Sequence, residues 1–279
     1  AICQAAMLGC IPIAHIHGGE TTEGLIDEAV RHSITKMSHL HFTATDAYRN
    51  RVIQLGEIPQ KVFNVGAPGI DSIKSLKLID RNALTGSLGF DVTGPFIVVT
   101  YHPVTLNKDG ALIALENLLS VLATYPNLNF IITYPNADTH NQGLITALEA
   151  FKKEHCDQVL LVRSLGQLRY LSLLKHCEAV IGNSSSGLIE APTFLKPTVN
   201  IGNRQGGRIC GGTVINSDED VPSITKALIK ALSKDFREKC LSEHNPYGSG
   251  GSSERILDII KSISLDDLVM KKFYDVKPL

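Results

Sequence analysis

The sequence predicts an α/β protein made of parallel sheets. Short apolar runs alternate with amphipathic stretches along all 279 residues, as in chains built from strand–helix–strand units. The composition, 43% hydrophobic and 20% charged, is that of a globular protein, and the length suits one large or two medium domains. Polar residues follow directly after the apolar runs, at the edge where open parallel sheets bind ligands.

The first region opens on a helical pattern, with Ile2, Ala5 and Leu8 ahead of Gly9. The elements predicted next are a buried strand over 11–16, a helix over 24–37, a strand near 40–43, a helix over 46–56 and a strand near 61–65. Glycine, proline and aspartate interrupt the periodicity over 67–94, which is therefore the predicted interdomain linker.

The pattern then restarts and predicts a complete, doubly wound second domain. Its strands are expected at 96–101, 128–134, 158–163, 178–182 and 197–201, with a short one near 213–216. We therefore divide the chain into 1–75 (the C-terminal part of a first domain), 76–242 (the second domain) and 243–279 (a C-terminal helix and tail packing back toward the first domain). Because a complete α/β domain ordinarily starts with a strand and the chain has no initiator methionine, we expect a fragment or a processed product.

Composition excludes several classes of protein. The formal net charge of -1 provides no basic field for nucleic acid or an anionic membrane. No apolar run approaches about 18 residues, so no membrane-spanning helix is expected. The six cysteines are far apart and form no C-x-x-C pair, which predicts buried reduced thiols of a cytoplasmic protein instead of a zinc site or disulfide framework.

The loop Gly182–Gly187 follows a predicted buried strand and opens a predicted helix. Its backbone N–H groups and the hydroxyls of Ser184 and Ser185 are suited to a phosphate, although a Ser-rich capping turn without a ligand explains the same residues. Glu190, one turn into that helix, either accepts hydrogen bonds from ribose hydroxyls or only favours the helix dipole.

Three further strand-end residues have two interpretations each. Arg204 and Arg208 lie in a Gly-rich loop and are either forked donors to a diphosphate or solvated surface arginines. His102 precedes Pro103 at the end of a strand and is either a general acid or phosphate ligand, or a structural histidine.

In the first region, His15 and His17 are two apart on a predicted strand and are expected to face the same side of the sheet. No partner set of suitable spacing is nearby, so we expect no metal. On the following helix, the residues four apart are Asp27 with Arg31 and Glu28 with His32. These pairs are either salt bridges on a solvated face or part of a crevice beside the preceding Gly-Gly-Glu.

Six motifs in order make the chain resemble the hydrolysing UDP-N-acetylglucosamine 2-epimerases of sialic acid synthesis. They are HIHGGETTEGLIDEAVRHSITKMSHLHF, YHPVT, YPNAD, IGNSSSGLIEAPTF, NIGNRQGGR and YGSGGSSERI. The resemblance implies the GT-B architecture of two Rossmann-like domains with the active site in the cleft, the first domain being incomplete in this chain. It also implies no cofactor, and it adds the expectation of a homo-oligomer, dimer or tetramer.

The implied reaction has two steps. A base removes the C2 proton while UDP leaves from C1, and water then adds to the resulting 2-acetamidoglucal to release N-acetylmannosamine. The UDP-binding residues implied by the resemblance are His102, Asn136, Asp138, Ser184, Ser185, Glu190 and Arg204, with Arg31 and His32 from the first region. The implied catalytic residues are Glu20, Asp27, His17 and His102, although some relatives have glutamate at the position of His17.

Two family features are missing from the sequence: an upstream G-D-R segment with a catalytic aspartate, and an N-terminal Gly-rich loop. The resemblance therefore implies an N-terminally truncated chain that would not turn over substrate by itself. The alternatives are a hydrolysing UDP-N,N'-diacetylbacillosamine 2-epimerase, a GT-B glycosyltransferase, a non-hydrolysing epimerase and an inactive UDP-binding fragment.

Overall fold

A computed structural model describes residues 1–23, 26–103, 110–135, 141–266 and 268–276. The chain forms two compact units. The first comprises Ala1–Thr22, Ile26–Lys74 and Pro246–Leu279, and the second comprises Glu23–Leu25 and Ser75–Asn245.

The first unit contains a three-stranded parallel sheet in the order β1-β2-β3. Its strands are β1 (Ala14–Ile16), β2 (Leu40–Thr43) and β3 (Val62–Asn64). Its helices are α1 (Ile2–Leu8), α2 (Ile26–Met37), α3 (Asp46–Gln54), α4 (Pro68–Ser75) and α12 (Ser252–Ser262). A 3-10 turn, Pro59–Lys61, precedes β3.

The C-terminal segment completes the core of the first unit. Ile256 of α12 and Leu268 of the tail are buried in one cluster with Leu40, Phe42 and Val65. The α12 N-terminus is held by the Asp71 carboxylate, which accepts from the backbone N–H groups of Ser252 (3.1 Å) and Ser253 (2.6 Å). Burial of apolar surface and a capped helix terminus together fix this segment on the sheet.

A buried carboxylate, Glu57, holds the tail at a second point. Its oxygens bind His41 Nε2 at 3.0 Å, Lys36 Nζ at 2.6 Å and Lys271 Nζ at 2.7 Å. These three donors overcome the opposing effect of burial and lower the pKa of Glu57 to about 2. The carboxylate is therefore ionised throughout the neutral range, and Lys271 ties the tail to β2 and α2 through it.

The second unit contains a six-stranded parallel sheet in the order β6-β5-β4-β7-β8-β9. Its strands are β4 (Phe96–Thr100), β5 (Asn129–Thr133), β6 (Val159–Val162), β7 (Ala179–Gly182), β8 (Thr198–Ile201) and β9 (Val214–Ser217). Its helices are α5 (Arg81–Leu88), α6 (Gly110–Leu122), α7 (Gln142–Glu154), α8 (Gly166–His176), α9 (Ser186–Ile189), α10 (Val221–Leu232) and α11 (Lys234–Cys240). The strand order reverses between β4 and β7, and such a switch point is where doubly wound sheets bind ligands.

The apolar faces of the helices and strands form the core of the second unit. Strand β4 is buried at all five positions, as expected for the centre of a parallel sheet covered on both faces. Helix α10 contributes Ile224 and Leu228 to a cluster that also contains Val199 of β8. This packing makes the carboxyl ends of β4 and β7 a rigid support for the loops that follow them.

The predicted interdomain linker over 67–94 contains the boundary between the two units, at Lys74 and Ser75, but the segment is helical because it contains α4 and α5. Its punctuating residues act at helix ends: Pro68 begins α4, Asp80 caps α5 by accepting from the N–H of Ala83 at 2.9 Å, and Gly89 ends α5 at φ 60°. Ile70 and Leu84 are fully buried. Helices this short carry too few apolar positions to give a visible period.

Two burial predictions are wrong. The strand predicted over 11–16 is shorter, β1 at Ala14–Ile16, and it is not buried: Ile11 and Ile16 are exposed, and β1 is an edge strand of the described sheet. All six cysteines are free, but Cys10, Cys156 and Cys210 are exposed and only Cys177 and Cys240 are buried. Within the described residues, no helix is both long and apolar enough to cross a membrane.

Candidate functional site

The carboxyl ends of β4 and β7 meet at the switch point through a glycine. Gly182 has φ 135°, and a Cβ at this position would overlap the carbonyl oxygen of Thr100 on the neighbouring strand. Only glycine combines this backbone conformation with this approach. The chain that follows β7 is thereby directed across the end of β4.

Asn183 then connects the two strand ends and the next loop. Its Oδ1 accepts from the N–H of His102 at 2.7 Å, and its Nδ2 donates to the His102 carbonyl at 2.8 Å. Its own carbonyl accepts from Gln205 Nε2 at 2.7 Å and Arg204 Nη1 at 3.1 Å. Asn183 is 1% exposed, so its polar groups lie in the interior and are hydrogen-bonded to protein instead of water.

His102 lies at the end of β4, buried beside Arg204. Burial, and secondarily the positive charge of Arg204, lower the pKa of His102 from 6.5 to about 4. The imidazole is therefore neutral at neutral pH, with one ring N–H to donate and one nitrogen to accept.

The helix predicted after the Ser-rich loop is a single turn. α9 spans four residues, Ser186–Ile189, and a 3-10 turn follows at Ala191–Phe194, because Pro192 prevents the α-helix from continuing. Ser185 is the residue before the turn, and the Ser184 hydroxyl accepts from the N–H of Ser186 at 3.4 Å. Both hydroxyl side chains are half-buried at the switch point.

Glu190 follows the last residue of α9, so the interpretation that it favours the dipole of a helical first turn is wrong. Burial raises the pKa of Glu190, while a hydrogen bond from the Ser186 side chain opposes that increase. A half-buried carboxylate with one identified donor retains lone pairs for hydroxyl groups of a ligand.

The loop after β8 lines a concavity of about 850 Å³. Arg204 and Arg208 belong to this lining together with the carboxylate residues Glu23, Asp218 and Glu219. Both arginines are half-buried, and Arg208 Nη1 donates to Gln205 Oε1 at 2.8 Å. They are therefore held by the loop and are not the solvated surface arginines of the alternative interpretation.

In the first unit, Glu20 is 3% exposed and its Oε1 lies 3.1 Å from His17 Nδ1. His17 has φ 66° and follows the last residue of β1. The expectation that His15 and His17 share a sheet face is therefore wrong, because the positive φ interrupts strand alternation. His15 instead contacts Thr35 Oγ1 at 3.2 Å, and burial lowers the pKa of His15 to about 4.

Glu28 organises the neighbouring face of α2. Its carboxylate binds His32 Nε2 at 2.9 Å, Arg31 Nη1 at 3.3 Å and the N–H of Thr22 at 2.6 Å. Arg31 also donates to the Glu20 carbonyl at 3.4 Å, which brings Arg31 beside Glu20. The predicted Glu28–His32 pair is confirmed, whereas Arg31 pairs with Glu28 and the side chain of Asp27 is exposed.

The structure brings His102, Ser184, Ser185, Glu190 and Arg204 to one sheet edge, and Glu20, His17, Arg31 and His32 to one part of the first unit. Asn136 and Asp138 lie outside the described residues. Within the described part of the chain, no three His, Cys, Asp or Glu residues are grouped as a metal site would require.

Sequence reasoning missed the residues that hold these sites together. Asn183 was visible only as one polar residue after β7, and nothing in the spacing joined it to His102. Glu28 was recognised as a helix-pair residue but not as the centre of the cluster. Tyr170, whose hydroxyl lies 2.6 Å from Ser186 Oγ, gave no signal because it belongs to an otherwise ordinary amphipathic helix.

The sequence pattern that defines the UDP-N-acetylglucosamine 2-epimerases matches residues 1–261. This chain belongs to the UDP-N-acetylglucosamine 2-epimerase family. The α/β fold with parallel sheets is likewise that of the solved epimerase structures. The epimerase from Neisseria meningitidis bound to UDP-GlcNAc matches with a TM-score of 0.80 at 20% identity, covering 94% of this chain and 72% of that one.

Curated relatives are similar to nearly the whole of this chain. The hydrolysing GDP/UDP-N,N'-diacetylbacillosamine 2-epimerase of Campylobacter jejuni is 36% identical over 99% of this chain and 72% of its own length. The polysialic acid biosynthesis protein P7 of Escherichia coli is 39% identical over 99% of this chain and 70% of its own length. A hydrolysing UDP-N,N'-diacetylbacillosamine 2-epimerase of Legionella pneumophila is 36% identical over 94% of this chain and 67% of its own length.

Proposed function

We propose that this protein is a hydrolysing 2-epimerase that acts on UDP-N,N'-diacetylbacillosamine. The observation that carries the proposal is the 36% identity to two relatives with that activity in their names, over 99% and 94% of the chain. The residues at the switch point of the second sheet support UDP binding. The group formed by Glu20, His17, Arg31 and His32 in the first unit supports the acid–base chemistry.

The second unit binds the UDP group in this proposal. Ser184 and Ser185 offer hydroxyls beside the backbone N–H groups of the loop after β7, and Arg204 supplies a positive charge for the diphosphate. Glu190 accepts from ribose hydroxyls. Neutral His102 donates one ring N–H to a diphosphate oxygen. The negative charge of the diphosphate increases the basicity of the His102 imidazole. Asn136 and Asp138 are assigned to the same site from the sequence resemblance alone.

The reaction proceeds by elimination followed by hydration. A base takes the proton from C2 while the C1–O bond breaks and its electron pair leaves with UDP, which creates a C1–C2 double bond. Water then adds its hydroxyl to C1, and a proton returns to C2 on the opposite face. The balance is one nucleotide sugar and one water converted to UDP and one free C2-epimeric sugar.

The first unit supplies the acid and base in this proposal. Glu20 and His17, 3.1 Å apart, form a proton-sharing pair in which the buried carboxylate orients the imidazole. Glu28 binds both Arg31, which also donates to the Glu20 carbonyl, and His32. In this proposal Arg31 supplies positive charge for the departing diphosphate, and His32 supplies a ring nitrogen for hydrogen bonding. Asp27, whose side chain is exposed, is the second candidate acid or base.

UDP-N-acetylglucosamine is the second candidate substrate. The 39% identity to protein P7, named for polysialic acid biosynthesis, favours a product in the N-acetylmannosamine series. Both substrates pass through the same two chemical steps, since they differ at the sugar positions away from C1 and C2. The site residues above are therefore assigned equally under either substrate.

The test supplies each nucleotide sugar separately in deuterium oxide and follows products by proton NMR. The proposal predicts UDP and a free 2-epimer with deuterium at C2 from the diacetylbacillosamine nucleotide, at a higher kcat/KM than from UDP-N-acetylglucosamine. Preference for UDP-N-acetylglucosamine would transfer the assignment to the second candidate. A retained UDP-sugar epimer, an acceptor-dependent transfer, or UDP binding without turnover would each overturn the hydrolysing proposal.

A further inference from the structure

A row of hydroxyl groups runs from the middle of the second sheet to Glu190. Thr133 Oγ1 and Thr100 Oγ1 are 2.9 Å apart on neighbouring strands. The Thr100 side chain hydrogen-bonds Tyr170, and the Tyr170 hydroxyl lies 2.6 Å from Ser186 Oγ. Ser186 in turn hydrogen-bonds the Glu190 side chain.

The carboxylate at the end of this row determines its direction. Ionised Glu190 has no proton to give, so Ser186 donates to Glu190, and the Ser186 oxygen is left to accept from Tyr170. Tyr170 is then the acceptor for Thr100. Each hydroxyl donates its hydrogen to the oxygen of the next residue in the row. In a buried chain of this kind, successive hydrogen bonds polarise and strengthen one another.

Tyr170 belongs to α8, whereas Ser186 begins the single turn of α9 and Glu190 follows it. A turn of four residues has little rigidity of its own, because helical structure becomes stable only when many residues propagate it. The long Tyr170 side chain therefore provides a fixed point outside the turn. It restricts the rotation of the Ser186 hydroxyl, which in turn restricts the Glu190 carboxylate.

We propose that Tyr170 is a positioning residue that acts through Ser186 to set the Glu190 carboxylate for the ribose hydroxyls of the nucleotide. This inference rests on the proposed function, because it takes Glu190 as the ribose-binding group. With one carboxylate oxygen held by Ser186, the remaining lone pairs keep a fixed direction in which adjacent hydroxyls of a ribose are recognised. Tyr170 itself does not touch the nucleotide.

The experiment compares the affinities of UDP and 2'-deoxy-UDP for the full chain by isothermal titration calorimetry. Tyr170→Phe keeps the ring and removes only the hydroxyl that donates to Ser186. Tyr134→Phe is the matched control, because the Tyr134 hydroxyl makes a 3.2 Å hydrogen bond to Glu149 at an exposed position. The wild-type protein is expected to bind UDP at least about tenfold more tightly than 2'-deoxy-UDP, because the deoxy ligand lacks the hydroxyl that donates to the Glu190 carboxylate.

Tyr170→Phe is expected to reduce this preference about fivefold by weakening UDP binding, while the affinity for 2'-deoxy-UDP stays close to wild type. A variant that retains the full preference, or that loses affinity for both ligands equally, overturns the positioning role. Wild-type protein that binds neither ligand counts instead against the proposed function. Wild-type protein that binds both equally removes Glu190 as the ribose-binding group, which Glu190→Gln tests independently.

Discussion

The side-chain amide of Asn183 hydrogen-bonds both polar backbone groups of His102, a residue 81 positions earlier in the chain. This pairing fastens the end of β7 to the end of β4 at the switch point of the second sheet. The Asn183 carbonyl extends the connection to Arg204 and Gln205. The three loops proposed to surround UDP are therefore joined by one buried residue.

Replacement of Asn183 by alanine is expected to weaken UDP binding and to lower the free energy of unfolding by about 2–4 kcal/mol, because the His102 N–H and carbonyl lose their partners in the interior. Urea unfolding and calorimetric titration with UDP measure the two effects. Asn129→Ala is the control, since it removes a 2.9 Å side chain–backbone bond to the Asp91 carbonyl at the opposite end of the sheet. Equal loss of UDP affinity in both variants contradicts the prediction.

Gly182→Ala is expected to destabilise the protein by more than about 3 kcal/mol, because the added Cβ overlaps the Thr100 carbonyl at a backbone φ of 135°. Gly86→Ala serves as the matched substitution: it lies inside α5, where nothing is within 4 Å of the added carbon. There, the higher helix propensity of alanine is expected to increase stability by about 0.5–1 kcal/mol. Chemical denaturation compares the two variants, and similar values would disprove the steric argument.

Glu57→Ala leaves buried His41 and the tail residue Lys271 without their shared carboxylate. We expect a loss of about 3 kcal/mol in unfolding free energy and faster hydrogen exchange over residues 268–276. Glu238→Ala is the control, because its 3.7 Å pair with Lys234 is exposed on both sides and is worth at most about 0.5 kcal/mol. Unchanged exchange in the tail would refute the anchoring role of Glu57.

Stability is also expected to depend on pH through His102. Its pKa is about 4 in the folded protein against an ordinary value of 6.5, so between these values the unfolded chain binds more protons. The stabilising effect of the neutral form is complete above pH 6.5 and is lost as pH falls toward 4, with a slope approaching about 1.4 kcal/mol per pH unit. In His102→Gln this part of the slope should disappear, whereas exposed His244→Gln should retain it, as urea unfolding from pH 7 to pH 4 measures.

Strand positions in the second domain were accessible from the sequence, because buried parallel strands are continuous apolar runs. The predicted strand 96–101 corresponds to β4 at Phe96–Thr100, and 178–182 corresponds to β7 at Ala179–Gly182. Short elements without a full apolar period give no such run, so the sequence predicts a linker over the segment that contains α4 and α5. Their helical state depends on caps such as Asp80 and on burial of Ile70 and Leu84 against residues distant in sequence.

The candidate site divides in the same way. Ligands bind at the carboxyl ends of parallel strands, and this rule is enough to select His102, Ser184, Glu190 and Arg204 as site candidates from the sequence. The environment of each group did not follow, since the pKa of His102 depends on burial and on Arg204 about a hundred residues away in the chain.

Local apolar periodicity is sufficient to predict the α/β class, the order of the strands along the chain and the polar residues that follow the strands, because each of these depends only on neighbouring residues. Tertiary structure alone decided which of those residues meet. Asn183 with His102, Arg204 with Asn183 and Tyr170 with Ser186 are paired by strand order and helix packing. Contacts between distant segments leave no periodic trace in the chain, because they arise only when burial of the core brings those segments together.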